Sequence, residues 1–147
     1  MSTQRPRRRA LRLALATMLT AVTATVTPLP HLATPAQALD LFGIVQADGG
    51  ASAMCGVFSS GSVTCWGNGV NFGLGNGSSA NRAVPVTVAG VSGATKVVVG
   101  ASFGCALLSG GTVKCWGDNQ FGQLGTGSFN HPTTAVTVSG VSNAVDL

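Results

Sequence analysis

The chain has 147 residues, with eight Lys and Arg against four Asp, no Glu, no Tyr and 21 Gly. Five of the cations (Arg5, Arg7, Arg8, Arg9 and Arg12) crowd the N-terminus, so from Leu39 onward Arg82, Lys96 and Lys114 face Asp40, Asp48, Asp118 and Asp146, a net charge of −1. Three scattered cations form no stripe that could neutralise phosphates, which argues against a nucleic-acid partner.

The basic head is followed by an apolar, small-residue run over 13–26, then Pro28, Pro30 and Pro35, then Ala36-Gln37-Ala38. That order reads as a signal peptide, residues 1–38, cleaved after Ala38. The run is shorter than the roughly 20 residues a spanning helix needs, so an uncleaved membrane anchor ranks second. The Arg8-Arg9 pair leaves the export route open. The expectation is a secreted or cell-surface protein with no membrane attachment after cleavage.

The remainder is written twice. CGVFSSGSVTCWG, residues 55–67, returns as CALLSGGTVKCWG, residues 105–117, at an offset of 50. At the same offset Leu74-Gly75, Val86-Thr87-Val88 and Gly90-Val91-Ser92 meet Leu124-Gly125, Val136-Thr137-Val138 and Gly140-Val141-Ser142, with no net gap. A fixed period of this size marks a repeat architecture.

Taken in order, a worn first strand over 41–48 is centred on Ile44 and Val45, and its second half, from Val45 onward, aligns with the stronger 95–100. Strands follow over 53–58 and 62–66, then a Gly- and Asn-rich connection over 67–77, then a fourth strand over 84–88. Four short strands per period without a helical pattern predict an all-β fold of β-propeller blades, each of four antiparallel strands. The first repeat is assigned to 39–94 and the second to 95–144, with 145–147 starting a truncated third. About two blades result, where closure takes roughly 4 to 8. The chain is therefore expected to be a fragment, a truncated reading frame, or one subunit of a homo-oligomeric ring.

The cysteine spacing translates into geometry. Ser59-Ser60-Gly61 and Ser109-Gly110-Gly111 suit three-residue hairpin loops with Gly in the left-handed position. Counting outward from such a loop pairs Cys55 with Cys65 and Cys105 with Cys115 at non-hydrogen-bonded sites, with Cα atoms about 4.5 Å apart. Two disulfides are predicted, each closing a loop worth roughly 2–3 kcal/mol in the chain-entropy model. Zinc sites space their cysteines by two to four residues, so a metal centre is not expected.

Other candidates favour structure over chemistry. Trp66 and Trp116, with Leu74 and Leu124, are assigned to blade packing rather than to a ligand platform. The glycine-rich stretches 73–77 and 122–127 lack the Lys-Ser/Thr of a phosphate loop and read as turns. Asn76-Gly77-Ser78 matches a glycosylation acceptor pattern that arises often by chance. Asp48 and Asp118 read as turn residues, and His131, beside Pro132, reads as a loop residue rather than a ligand or base. A catalytic triad could draw only on His131 and an Asp, so no enzyme, no cofactor and no metal is expected.

Residues 105–127, CALLSGGTVKCWGDNQFGQLGTG, resemble the repeat of the regulator of chromosome condensation family, above all in Cys115-Trp116-Gly117-Asp118-Asn119 followed by Gly122-Gln123-Leu124-Gly125. The first copy keeps Cys65-Trp66-Gly67-Asn68 but lacks the Gln in Phe72-Gly73-Leu74-Gly75. The resemblance covers about 50–146 and implies a seven-bladed β-propeller whose face loops bind proteins. The family's founder is a guanine-nucleotide exchange factor that binds chromatin. Such a role calls for a full propeller, nuclear access and a basic tail, where this chain carries an export signal. The paired cysteines look like those of secreted bacterial members, among which β-lactamase-inhibitory proteins act as pure protein binders. The reading is a secreted, non-enzymatic module for an unknown protein or cell-surface ligand, contacting it through 67–82 and 117–132. Alternatives are an assembly-dependent or non-functional fragment of a larger propeller, and an extracellular hydrolase.

Overall fold

Side chains alternate across an extended strand, so each strand feeds two surfaces at once. Here that alternation assembles two sheets, each of four antiparallel strands in sequence order. Blade 1 contains β1 (Ile44–Gly49), β2 (Ala53–Phe58), β3 (Val63–Gly67) and β4 (Arg82–Thr87). Blade 2 contains β5 (Ala94–Val99), β6 (Phe103–Leu108), β7 (Val113–Gly117) and β8 (Val136–Thr137). The computed structural model describes residues 43–147; the leader assigned to 1–38 lies outside the described residues. The all-β blade architecture is the one the repeat spacing predicts.

The central hairpins follow from their turns. Gly61 (φ 79°) and Gly111 (φ 76°) hold the left-handed conformation in which a side chain is strained. Their N–H groups donate to Phe58 O and Leu108 O, at 2.8 and 2.9 Å, closing each loop. Register then runs outward to Cys55 opposite Cys65 and Cys105 opposite Cys115. Both pairs are disulfide-bonded, with Cα atoms 4.1 and 4.0 Å apart, as close non-hydrogen-bonded partners require.

Each blade has a trailing face and a leading face. In blade 1 the trailing face carries Cys55, Val57, Val63 and Cys65, joined by Leu74 and Val88; all are buried. Its core also contains Ala94, Val97, Ala106 and Trp116 from the leading face of blade 2. The first hydrophobic core is thus the joint between blades. The equivalent trailing residues of blade 2, Cys105, Leu107, Val113, Cys115 and Leu124, form a second cluster.

Strand bounds shift from the sequence expectation, β3 running one residue later than 62–66 and β5 one earlier than 95–100. The fourth strand starts two residues earlier and ends one earlier than 84–88, with Val88 N–H still donating to Val63 O at 2.9 Å. Asp48 is not a turn residue. It lies within β1, and its Oδ2 accepts the N–H of Val99 in the neighbouring blade at 2.7 Å. Local composition beside Gly49 suggests a turn, whereas an edge strand with an unpaired neighbour recruits the carboxylate.

Candidate functional site

Two surfaces stand out, the joint and the loop after β7. At the joint, Trp116 is fully buried and its Nε1–H donates to Gly73 O at 3.1 Å. The ring fits because its neighbours have no side chains. A Cβ on Gly75 would lie 2.7 Å from the ring, and one on Gly104 would lie 2.6 Å from it. Along the inner strands the side-chain amide of Gln46 imitates a strand, donating to Val97 O at 3.0 Å and accepting Val97 N–H at 2.7 Å. On the outer side Gly77 N–H donates to Thr133 O, Ala135 N–H donates to Ala89 O, and Lys114 Nζ reaches Gly90 O at 2.6 Å.

That outer pairing accounts for a difference between the blades. β4 keeps six residues in its own sheet, while β8 keeps two. Thr133, Thr134 and Ala135 leave the second sheet to pair with Gly77, Asn76 and Ala89 of the first.

The loop after β7 is built around one buried side chain. Asn119 Nδ2 donates to Ser128 O (2.8 Å), Asn130 O (3.0 Å) and Thr126 Oγ1 (3.4 Å), and Asn119 Oδ1 accepts Leu124 N–H at 3.0 Å. A fully buried amide with its capacity filled fixes 119–130 as a rigid unit. On that unit Phe121 and Phe129 are 80% and 71% exposed. Phe129 lies over Gly122, where a Cβ would come within 3.4 Å of its ring.

The structure brings His131 and Asp118 together, with Nδ1 3.1 Å from Oδ1. Asn119 N–H also points at Nδ1, at 3.2 Å. One ring nitrogen either accepts or donates, so these contacts compete. Blade 1 shows which role the repeat needs: Asn81 stands where His131 does, and its Oδ1 accepts Gly69 N–H at 3.0 Å. An amide oxygen only accepts, so His131 acts first as a loop clasp. The nearby hydroxyls, Thr126 Oγ1 and Ser128 Oγ, are 3.2 Å apart and bonded to each other.

The residues assigned to packing separate into two groups. Leu74, Leu124 and Trp116 are buried, whereas Trp66 is half-buried on the leading face of blade 1. Of the two loops expected to contact a partner, the first is largely spent on the joint through Gly73, Gly75, Asn76 and Gly77. The second remains on the surface. Sequence reasoning passed over Asn119, Phe121 and Phe129; the signal was present in Asn119 itself, an Asn where the first copy has Gly69. Among the described residues, no three His, Cys, Asp or Glu side chains gather to hold a metal, and no helix is long and apolar enough to cross a membrane.

Models of the regulator of chromosome condensation repeat match residues 60–107 and 94–123. Residues 60–123 match the regulator of chromosome condensation repeat. Solved structures agree on the fold. Yeast RCC1 (Prp20) bound to Kap60 is 25% identical, with a TM-score of 0.55 over 64% of this chain and 22% of that one. Human WBSCR16 is 21% identical, with a TM-score of 0.61 over 68% and 27%. Prp20p from Saccharomyces cerevisiae, described with its binding to Gsp1p and histones, is 27% identical, with a TM-score of 0.52 over 65% and 22%. This chain therefore spans about a quarter of the length of those repeat proteins. No curated protein matches it.

Proposed function

We propose that this is an exported, non-enzymatic protein-binding module that engages a protein or cell-surface ligand through the loop 117–132. The observation that carries the reading is Phe121 and Phe129, both largely exposed on a loop held rigid by Asn119. Large aromatic side chains on a preorganised support give contact area at low entropic cost, the usual make-up of a binding hot spot. Two cysteine pairs at bonding distance favour an oxidising compartment, in line with the leader in the sequence. The relatives' recorded association with Kap60, Gsp1p and histones supports protein binding as the kind of activity, without naming the partner.

A photo-crosslinking residue placed at Phe121 and exposed to the surface and medium of the producing cells tests this. A defined adduct that disappears when Phe129→Ser is added supports the reading. The same adducts from a control site such as Ser60 would remove it. A second reading, that the module works only as part of a larger propeller, is favoured by the quarter-length match to the solved relatives.

A further inference from the structure

The loops after β3 and β7 are held by side chains at the same two places, and those side chains differ in kind. In blade 1 Asn81 Oδ1 accepts Gly69 N–H at 3.0 Å, and Asn68 Oδ1 accepts Val70 N–H at 2.8 Å. At the period of 50 the two places fall to His131 and Asp118. They accept the equivalent backbone groups: His131 Nδ1 takes Asn119 N–H at 3.2 Å, and Asp118 Oδ1 takes Gln120 N–H at 3.3 Å. A side-chain amide keeps one charge state, whereas an imidazole ordinarily changes its charge between about pH 5 and 8.

The two groups of blade 2 also meet each other, with Nδ1 3.1 Å from Oδ1. One nitrogen therefore faces an N–H that needs its lone pair and a carboxylate that needs a proton on it. It cannot serve both at once. A neutral ring with its proton on Nε2 serves Asn119. A protonated ring can only donate, so it serves Asp118 and leaves the Asn119 N–H facing another N–H.

The surroundings suit such an exchange. The His131 side chain is 37% exposed and the Asp118 side chain 12%, so the ring reaches water while the carboxylate beside it is largely shielded. Shielding strengthens the attraction once the ring is charged. Pro132 restricts the backbone of His131, and Asn119 Nδ2 holds the carbonyls of Ser128 and Asn130 just before it. Among the described residues no other charged group pairs with either side chain. Asp48 is bonded to Val99, Lys96 to Asp146 and Lys114 to Gly90, and Arg82 lies in β4 opposite Gly67.

We propose that His131 and Asp118 form a pH-operated clasp on the loop 117–132. With the ring neutral, Nδ1 holds Asn119 N–H and ties the two ends of the loop together. In acid the ring takes a proton from solvent onto Nδ1, turns it toward Asp118 and releases Asn119 N–H. Phe129, two residues before His131, rides on the segment the clasp holds, so acid loosens the support of the exposed aromatic pair. As control of a contact loop this rests on the function proposed above; as an exchange of hydrogen bonds it does not.

Nuclear magnetic resonance of the exported, oxidised protein between about pH 5 and 8 tests the exchange itself. The neutral ring is expected to carry its proton on Nε2, and the Asn119 amide shift to follow the His131 titration. Protection of the Asn119 amide from exchange, corrected for pH, should fall about fivefold on protonation, the loss of one hydrogen bond. Gly69, held by Asn81, should stay level in the same spectra. So should Asn119 in His131→Asn, which rebuilds the blade 1 arrangement. A neutral ring protonated on Nδ1, or Asn119 protection that ignores the His131 titration, would overturn the proposal. Both are read on the wild type and do not depend on the variant folding. A clasp that opens on protonation in a protein giving no Phe121 adduct supports the switch and removes the contact loop.

Discussion

The two blades share a period, a turn and a disulfide, yet they are not equivalent. Blade 2 lends residues 133–135 and its Trp116 to blade 1, while blade 1 keeps β4 whole and leaves Trp66 half-buried. A repeat sequence thus specifies a unit whose surfaces are finished by the neighbour. Some of what differs between copies faces the joint: Met54 against Gly104, Pro85 against Ala135, and Gln46 and Asp48 against Lys96 and Val98. The lesson is that repeats of one pattern become directional through the side chains at their joint.

The contrast is sharpest at the tryptophans. Trp116→Ala should cost about 3–5 kcal/mol in urea unfolding, the usual loss for a buried large aromatic. Trp66→Ala should cost less than half of that, because its ring is only partly removed from water. Equal losses would break the asymmetry.

The bridges come next. Each closes a loop of the same length, so removing either pair as Cys→Ala should cost about 2–3 kcal/mol. Access separates them: Cys55 and Cys65 are sealed within the joint, while Cys105 keeps some exposure. Mild reductant followed by thiol labelling should open Cys105–Cys115 first, and denatured, unreduced protein should show no reactive thiol.

The loops differ in the side chain that holds each of them. Asn119→Ala strips buried partners from Leu124 N–H, Ser128 O and Asn130 O and should cost about 2 kcal/mol. Asn81→Ala, which frees only Gly69 N–H, should cost about 1 kcal/mol or less by the same unfolding measurement.

The smallest effect belongs to Lys96 and Asp146. The Lys96 ammonium and the Leu147 N–H hold the Asp146 carboxyl below its usual value of 3.8. A carboxyl with a lowered folded-state pKa stabilises the fold above its unfolded value and loses that contribution as pH falls through the folded one. The pair is exposed, so Asp146→Asn should leave the neutral-pH midpoint within error and flatten only the acid limb of a stability–pH curve.

Much of this was legible in the sequence, and the reason is local. Turn glycines fix hairpin register, register fixes which cysteines face each other, and a period of 50 carries the pattern over. Long-range hydrogen bonds were not legible. Nothing beside Asp48 announces that its carboxylate serves a strand 51 residues on, and the Asn at 119 where the first copy has Gly69 marks a difference without showing that the side chain is a buried hub. Those roles depend on which backbone groups the folded chain leaves unpaired, and that is decided only when the two blades meet.

Nitrogen-15 resolved exchange of the two indole protons addresses the joint directly. The account predicts that the Trp116 Nε1–H, held by Gly73 O within the sealed joint, exchanges only with global unfolding, while the Trp66 proton exchanges far faster. Equally fast exchange at both rings would mean that the blades do not close on each other.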